Sequence, residues 1–299
     1  MSFELILTKL ANLTMLVFMV SNMLAFGMRL SPAEIIAPLR DVRHDLKVFL
    51  ANFAIVPALA YALLRVFHFE GSPAIGLLLL ATAGGDPAVT KVSAAAKGDP
   101  AYTLAVMMAL QIVSVFYMPI VLPPLLPGVQ VDPIAVAKPL VLFLLLPLVL
   151  GSLVRARWSG VAARLWKPLD RFSTVALVLV IALFFGLHFN EMISQGVLVI
   201  AALFIFVWGA FFAGYVLGAP GQVRQSDLGL NTSIRGVSAA IVVAITNFPE
   251  QKVIVVIILI YLAIALATAL PVAAIVLRRM NGAARLAGGT ALTAGKTIV

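Results

Sequence analysis

The sequence predicts an all-α integral membrane protein with about nine membrane-spanning helices, two of them interrupted at membrane depth. Three observations carry this reading. Of the 299 residues, 63% are hydrophobic and 11% charged, where a soluble domain holds about 45–50% apolar and about 25% charged residues. The apolar residues gather into runs of bilayer length. Two of these runs, the third and the eighth, are broken by glycine, proline and polar residues.

A hydrocarbon core about 30 Å thick needs roughly 20 apolar residues per helix. The first run, 5–28, has no basic segment ahead of it and no small-residue cleavage site, and it is too long for a secretory leader, so it reads as a span. The second run is 45–66. The third, 72–96, contains Gly84-Gly85-Asp86-Pro87 and then Lys91. The fourth, 101–124, ends on Pro123-Pro124, with Pro127-Gly128 behind it as a turn. The fifth, sixth and seventh are 134–154, 170–189 and 196–218, the last closing on Gly218-Ala219-Pro220-Gly221. The eighth, 225–247, contains Asn231-Thr232-Ser233-Ile234-Arg235-Gly236, and the ninth is 251–277. The whole chain reads as one transmembrane unit: a first repeat over 1–124, a second over 134–278 and a cytoplasmic tail over 279–299.

Charge gives the orientation. Fifteen of the 21 Lys and Arg residues fall in the first, third, fifth and seventh loops and the tail; four (Lys9, Arg65, Lys138, Lys252) fall on the other side. Short cytoplasmic loops carry the excess of Lys and Arg, so the N-terminus is expected outside and the C-terminus in the cytoplasm of a cell (inner) membrane. An odd number of spans requires the same. The net charge of +9 lies in these loops, so a nucleic-acid partner is not expected. There is no cysteine, and the histidines (His44, His68, His188) lie near the ends of apolar runs, so no metal site or cofactor is expected. The spans offer no paired acids and no Ser–His pair, so enzyme chemistry is not expected either.

The two remaining basic residues, Lys91 and Arg235, stand in the two interrupted runs. A charge at the bilayer centre costs at least about 2.5–3.5 kcal/mol on insertion scales. A break in a lipid-embedded helix is tolerated only inside a bundle or beside a water-filled cavity. Paired breaks in two halves of a chain point to a transporter's binding site, and these two lie five spans apart. Two readings stay open for each basic residue. Either it faces a central cavity, holding an anionic substrate or taking a cation's place, or it forms an ion pair or charge-to-carbonyl contact that stabilises the break. Asp86 is close to Lys91 in sequence, and Asp227 is the candidate partner for Arg235.

At these residues the chain resembles the bile acid:sodium symporter family. The likeness lies in Phe26-Gly27-Met28-Arg29-Leu30, in Ala51-Asn52-Phe53-Ala54-Ile55-Val56-Pro57, in Gly85 through Asp99, and in Asn231 through Phe248 with Gly236-Val237-Ser238-Ala239-Ala240 and Asn247-Phe248. The resemblance implies two inverted five-helix repeats, a panel and a core domain, and two crossing discontinuous helices. It also implies that this chain starts at the family's second helix. In sodium-coupled members, serine, asparagine, threonine, glutamine and glutamate side chains hold two sodium ions beside the crossing. An ungapped alignment puts Asn52 on a glutamine ligand, Val89 and Thr90 on a serine–asparagine pair, Thr103 on a serine and Met107 on a threonine. Asn231 then falls on the shared glutamate and Arg235 on a glutamine; a register shifted by four residues puts Asp227 and Asn231 there instead.

Val89 and Met107 carry no side-chain oxygen for a hard cation, and Lys91 and Arg235 add positive charge. Unit charges about 4 Å apart repel by about 4 kcal/mol at an effective dielectric of 20. The expectation is therefore a secondary transporter of small or amphipathic organic anions, working by alternating access in the lipid bilayer. It is expected to be sodium-independent, with the basic groups in place of the sodium ions and proton coupling through Lys91 as the option. The candidate site is Lys91, Arg235, Thr90, Asn231, Asn52, Thr103, Asp86, Thr232 and Ser233. A sodium-coupled symporter with altered sites and a passive anion channel are the alternatives. Gly151, Gly218 and Gly221 are candidates either for hinges or for helix ends and close packing.

Overall fold

In the computed structural model, residues 3–29, 42–95, 100–126, 131–218 and 222–269 are described, with 33 and 271. They are helical almost throughout, and no strand occurs among them. Helix α1 is Phe3–Arg29. Helix α2 runs without interruption through Val42–Leu50, a π turn at Ala51–Ile55, and Val56–Phe67. The first broken span consists of α3, Gly71–Thr82, and α4, Ala88–Ala95. Helix α5 is Pro100–Leu125. Helix α6 joins Pro133–Leu140, a π turn at Val141–Leu145, and Leu146–Arg157. Helices α7 and α8 are Ser159–Ser194 and Gly196–Leu217. The second broken span consists of α9, Gln222–Ser233, and α10, Val237–Asn247; α11 is Lys252–Ala269.

Seven described segments are long and apolar enough to cross a membrane: Lys9–Arg29, Arg43–Phe67, Tyr102–Leu125, Pro133–Arg157, Gly196–Leu217, Arg224–Asn247 and Lys252–Ala269. The chain is thus a multi-pass, all-α membrane protein. Two of the expected runs take another form. Run 72–96 is two half-helices of 12 and 8 residues, each too short to span alone. Run 170–189 lies inside the 36-residue α7. Pro123 and Pro124, which close the fourth run, sit in the last turn of α5. Residues 127–128, 219–221 and the tail 279–299 lie outside the described residues.

Two groups of helices pack closely, joined where α6 meets α5 and α10. Helix α1 lies along α6 and α7. Its contact with α6 depends on glycine: a Cβ on Gly27 would collide with the Leu148 carbonyl, and one on Gly151 with the Leu24 carbonyl. Gly151 is therefore a packing residue within a helix rather than a hinge. Gly218 caps α8 and lies against the backbone of Arg224 and Gln225. In the second group α8 lies on α2 and α9, and α10 on α3. The segment Arg224–Asn247 is the most enclosed of the candidate spans, with 94% of its apolar window buried. Burial of that degree suits a helix whose backbone is broken midway.

Candidate functional site

The two interruptions touch. After α3 ends, Ala83-Gly84-Gly85-Asp86 turns sharply. Gly85 has φ +76, and a Cβ there would strike the Met107 carbonyl, so only glycine fits. The Gly236 amide, in the second break, donates to the Ala83 carbonyl at 3.0 Å. A Cβ on Gly236 would lie 3.0 Å from the Gly85 carbonyl oxygen and 3.1 Å from that of Gly84. Close backbone approach is thus required on both sides of the crossover.

Each break leaves backbone groups that need partners, and polar side chains supply them. Ser114 Oγ accepts from the Gly84 amide at 2.7 Å. Tyr261 Oη donates to the Ser233 carbonyl at the end of α9 and accepts from the Arg235 amide, the latter at 2.8 Å. Asp86 bridges the half-helices: one carboxylate oxygen accepts from the Ala88 amide at 2.9 Å and the other from the Val237 amide at 3.2 Å. Those amides open α4 and α10, where a helix presents its positive end.

Arg235 is fully buried, at 0% exposure. Its Nε donates to the Leu80 carbonyl at 3.1 Å, and Nη2 to the Ala81 and Asn52 carbonyls at 2.8 and 3.2 Å; Nη1 donates to Asn52 Oδ1. The sequence explains why these carbonyls are available. Leu80 and Ala81 are in the last turn of α3. At the π turn of α2 the Val56 amide bonds back to Ala51, releasing the Asn52 carbonyl. Pro57 lacks an N–H for the Phe53 carbonyl, which accepts from Tyr117 Oη at 2.6 Å instead. The guanidinium is therefore held by backbone oxygens from both helix irregularities. Of the two readings left open for Arg235, the contacts fit the second: its charge meets carbonyls that the two helix irregularities leave unpaired. Asp227, its candidate partner, is not among the acceptors of the guanidinium, and accepts from Ser93 Oγ at 2.7 Å.

The other expected residues divide. Thr103 donates to Ser93 at 3.0 Å and so joins Asp227 through it. Asn52 Nδ2 reaches Thr232 Oγ1 at 3.4 Å, and Thr232 donates to the Leu228 carbonyl within its own helix. Asn231 donates back to the Asp227 carbonyl at 3.0 Å; its Oδ1 is buried without a hydrogen-bond partner. Thr90 and Ser233 bond locally, to the Pro87 and Leu230 carbonyls. Val89 and Met107 are apolar core residues. Lys91 lies on α4, but its side chain is outside the described residues. Sequence reading missed Ser93, Ser114, Tyr117 and Tyr261. Ser114, Tyr117 and Tyr261 are hydroxyls among apolar residues, and Ser93 stands beside Thr90 and Lys91, so none carries a signal of its own.

Beside the crossover, between α1 and α7 on one wall and α4, α10 and α11 on the other, lies a cavity of about 240 Å³. Its polar lining is Asn22, Asp86, Asp170, Ser173, Thr174 and Ser238 among apolar residues such as Phe18 and Phe26. Asp170 is within Coulombic reach of Arg29, whose guanidinium lies 5.4 Å over Phe26 and 5.1 Å over Trp166. A larger groove of about 600 Å³ is lined by Pro119, Pro133, Ile134, Val141, Leu142 and Leu146 among others. It is open, almost wholly apolar and touches neither break, so the smaller cavity is the candidate site.

Residues 6–278 match the family model described as the SBF-like CPA transporter family. Over 228 residues the chain is 24% identical to a probable sodium/metabolite cotransporter of the chloroplast from Oryza sativa subsp. japonica, an alignment covering 73% of this chain and 56% of that protein. The chain thus spans little more than half the length of that relative.

Proposed function

The chain belongs to the SBF-like CPA transporter family, and from that premise we propose that it moves a small or amphipathic organic anion across a cell membrane by alternating access, without sodium. The unit of α1, α6 and α7 rocks against the rest as a panel against a core, with the cavity at the seam between them. The observation that carries this reading is the crossover: two half-helices point their positive ends at the cavity wall, and a fixed guanidinium takes the place of a bound cation behind it. Arg235 holds the crossover together, and Lys91 on α4 draws the anion in and serves as the proton-coupling group. The distribution of Lys and Arg supports an external N-terminus and a cytoplasmic C-terminus.

Counterflow in proteoliposomes tests this. Vesicles preloaded with unlabelled organic carboxylate should accumulate the labelled compound transiently in choline buffer. A flux that neither saturates nor shows counterflow identifies a channel instead.

A second reading, sodium coupling, is favoured by one observation. Asp227, Ser93 and Thr103 form a buried oxygen cluster, and Asn231 Oδ1 lies one turn along the same helix without a hydrogen-bond partner. The rice relative is named a sodium/metabolite cotransporter. Uptake that stops when choline replaces sodium would select this reading.

A further inference from the structure

The amides that would greet an anionic cargo at the crossover already hold an anion of the chain's own. Asp86 takes the Ala88 amide at 2.9 Å with one carboxylate oxygen and the Val237 amide at 3.2 Å with the other. The residue is 7% exposed and forms part of the cavity wall. Two further polar side chains stand on that wall. Asn22, on α1, is 5% exposed, and Ser238, in the first turn of α10, is 2% exposed. Both line the same space as Asp86. An amide and a hydroxyl on that wall suit a ligand that brings its own polar group.

A cargo carboxylate and the Asp86 carboxylate cannot occupy this place together. Both need the same donors, and like charges at contact distance in an enclosed site repel strongly. Asp86 follows Gly84-Gly85, and Gly85 is in the left-handed region at φ +76, so the carboxylate hangs on a turn of low steric cost. We propose that Asp86 is the specificity-determining residue of the cavity: a tethered competitor that a cargo carboxylate must displace from the α4 and α10 amides before it binds. The proposal rests on the organic-anion reading above and refines it. Small inorganic anions bring no binding energy beyond their charge and are kept out. An amphipathic carboxylate adds apolar burial against Phe18 and Phe26 and hydrogen bonds to Asn22 and Ser238, and so displaces the tether. In the empty carrier the same carboxylate keeps the two half-helix ends joined.

The test is calorimetric binding of phenylacetate and of nitrate to the full-length protein in detergent, at fixed ionic strength. Wild type is compared with Asp86→Asn and Asp86→Ser, which both keep a neutral helix-capping acceptor. Phenylacetate should bind both variants at least tenfold more tightly than wild type, and nitrate should bind the variants measurably and wild type not at all. A protein with Asn22→Leu, unaltered at the crossover, should lose phenylacetate affinity without losing thermal stability; this arm stands even if neither Asp86 variant folds. Equal phenylacetate affinity in wild type and variants overturns the competition and leaves the organic-anion reading intact. Absence of phenylacetate binding in every protein overturns both. Binding of phenethylammonium by wild type, lost in Asp86→Asn, overturns the proposal by making Asp86 the acceptor for a cationic cargo.

Discussion

Arg235 shows how a charge persists inside a membrane protein. A single planar group with five donors meets carbonyls from the end of α3 and the π turn of α2, and no lone ammonium could span that set. Removing the guanidinium leaves buried carbonyls without a donor, at a cost of about 1–3 kcal/mol for each buried group. Arg235→Gln should therefore lower stability by about that much, read as a fall in thermal midpoint in detergent. Arg235→Lys should recover only part of it, because the charge returns without the fork. Full recovery by lysine would mean that charge alone matters. Tyr261 serves both sides of the second break, donating to Ser233 and accepting from the Arg235 amide. Tyr261→Phe leaves both groups unpaired and should cost about 1–3 kcal/mol for each buried group.

At the scale of elements, irregularity in one helix prepares a partner for another. Pro57 withdraws an N–H, the Phe53 carbonyl is left over, and Tyr117 takes it at 2.6 Å. The two residues should therefore couple. Tyr117→Phe should destabilise the wild type by about 1–2 kcal/mol and do so less in a Pro57→Ala background, where the new amide bonds Phe53. A double-mutant cycle with no interaction energy would contradict this link. Gly27 and Gly151 let α1 and α6 meet backbone to backbone. Gly151→Val should force these helices apart and cost more than 1–3 kcal/mol, roughly the usual cost of overpacking, because its obstacle is a carbonyl that cannot rotate away.

For the whole molecule, the sequence was most legible where a single run decides the outcome. Apolar length located the spans, and glycine, proline and a charge at membrane depth located both breaks. The family followed from motifs spaced along most of the chain, and the match over residues 6–278 agrees. What could not be read was orientation within the bundle. Nothing in run 225–247 tells that Arg235, in the break, turns toward the end of α3 while Asp227, on α9, turns toward Ser93, because both partners lie on segments far away in the chain. Asn22 and Ser238 were missed for the same reason: an isolated polar residue in an apolar run looks alike whether it caps a helix, packs quietly or lines a cavity. Asp86 was expected beside Lys91, and its bridge to the start of α10 depends on a meeting of segments 151 positions apart.

The central claim is that Arg235 stands where a coupling cation would otherwise be held. Thermal stability of the purified protein, titrated with sodium chloride against choline chloride at constant ionic strength, tests it most directly. A ligand at 100 times its dissociation constant stabilises a fold by roughly 2.7 kcal/mol, a shift large enough to see. The account predicts superimposable curves for the two salts, with a sodium-specific rise emerging only if Arg235→Gln folds and opens the cation position. A saturable, sodium-specific rise in the wild type would contradict it and direct attention to Asp227, Ser93 and Thr103.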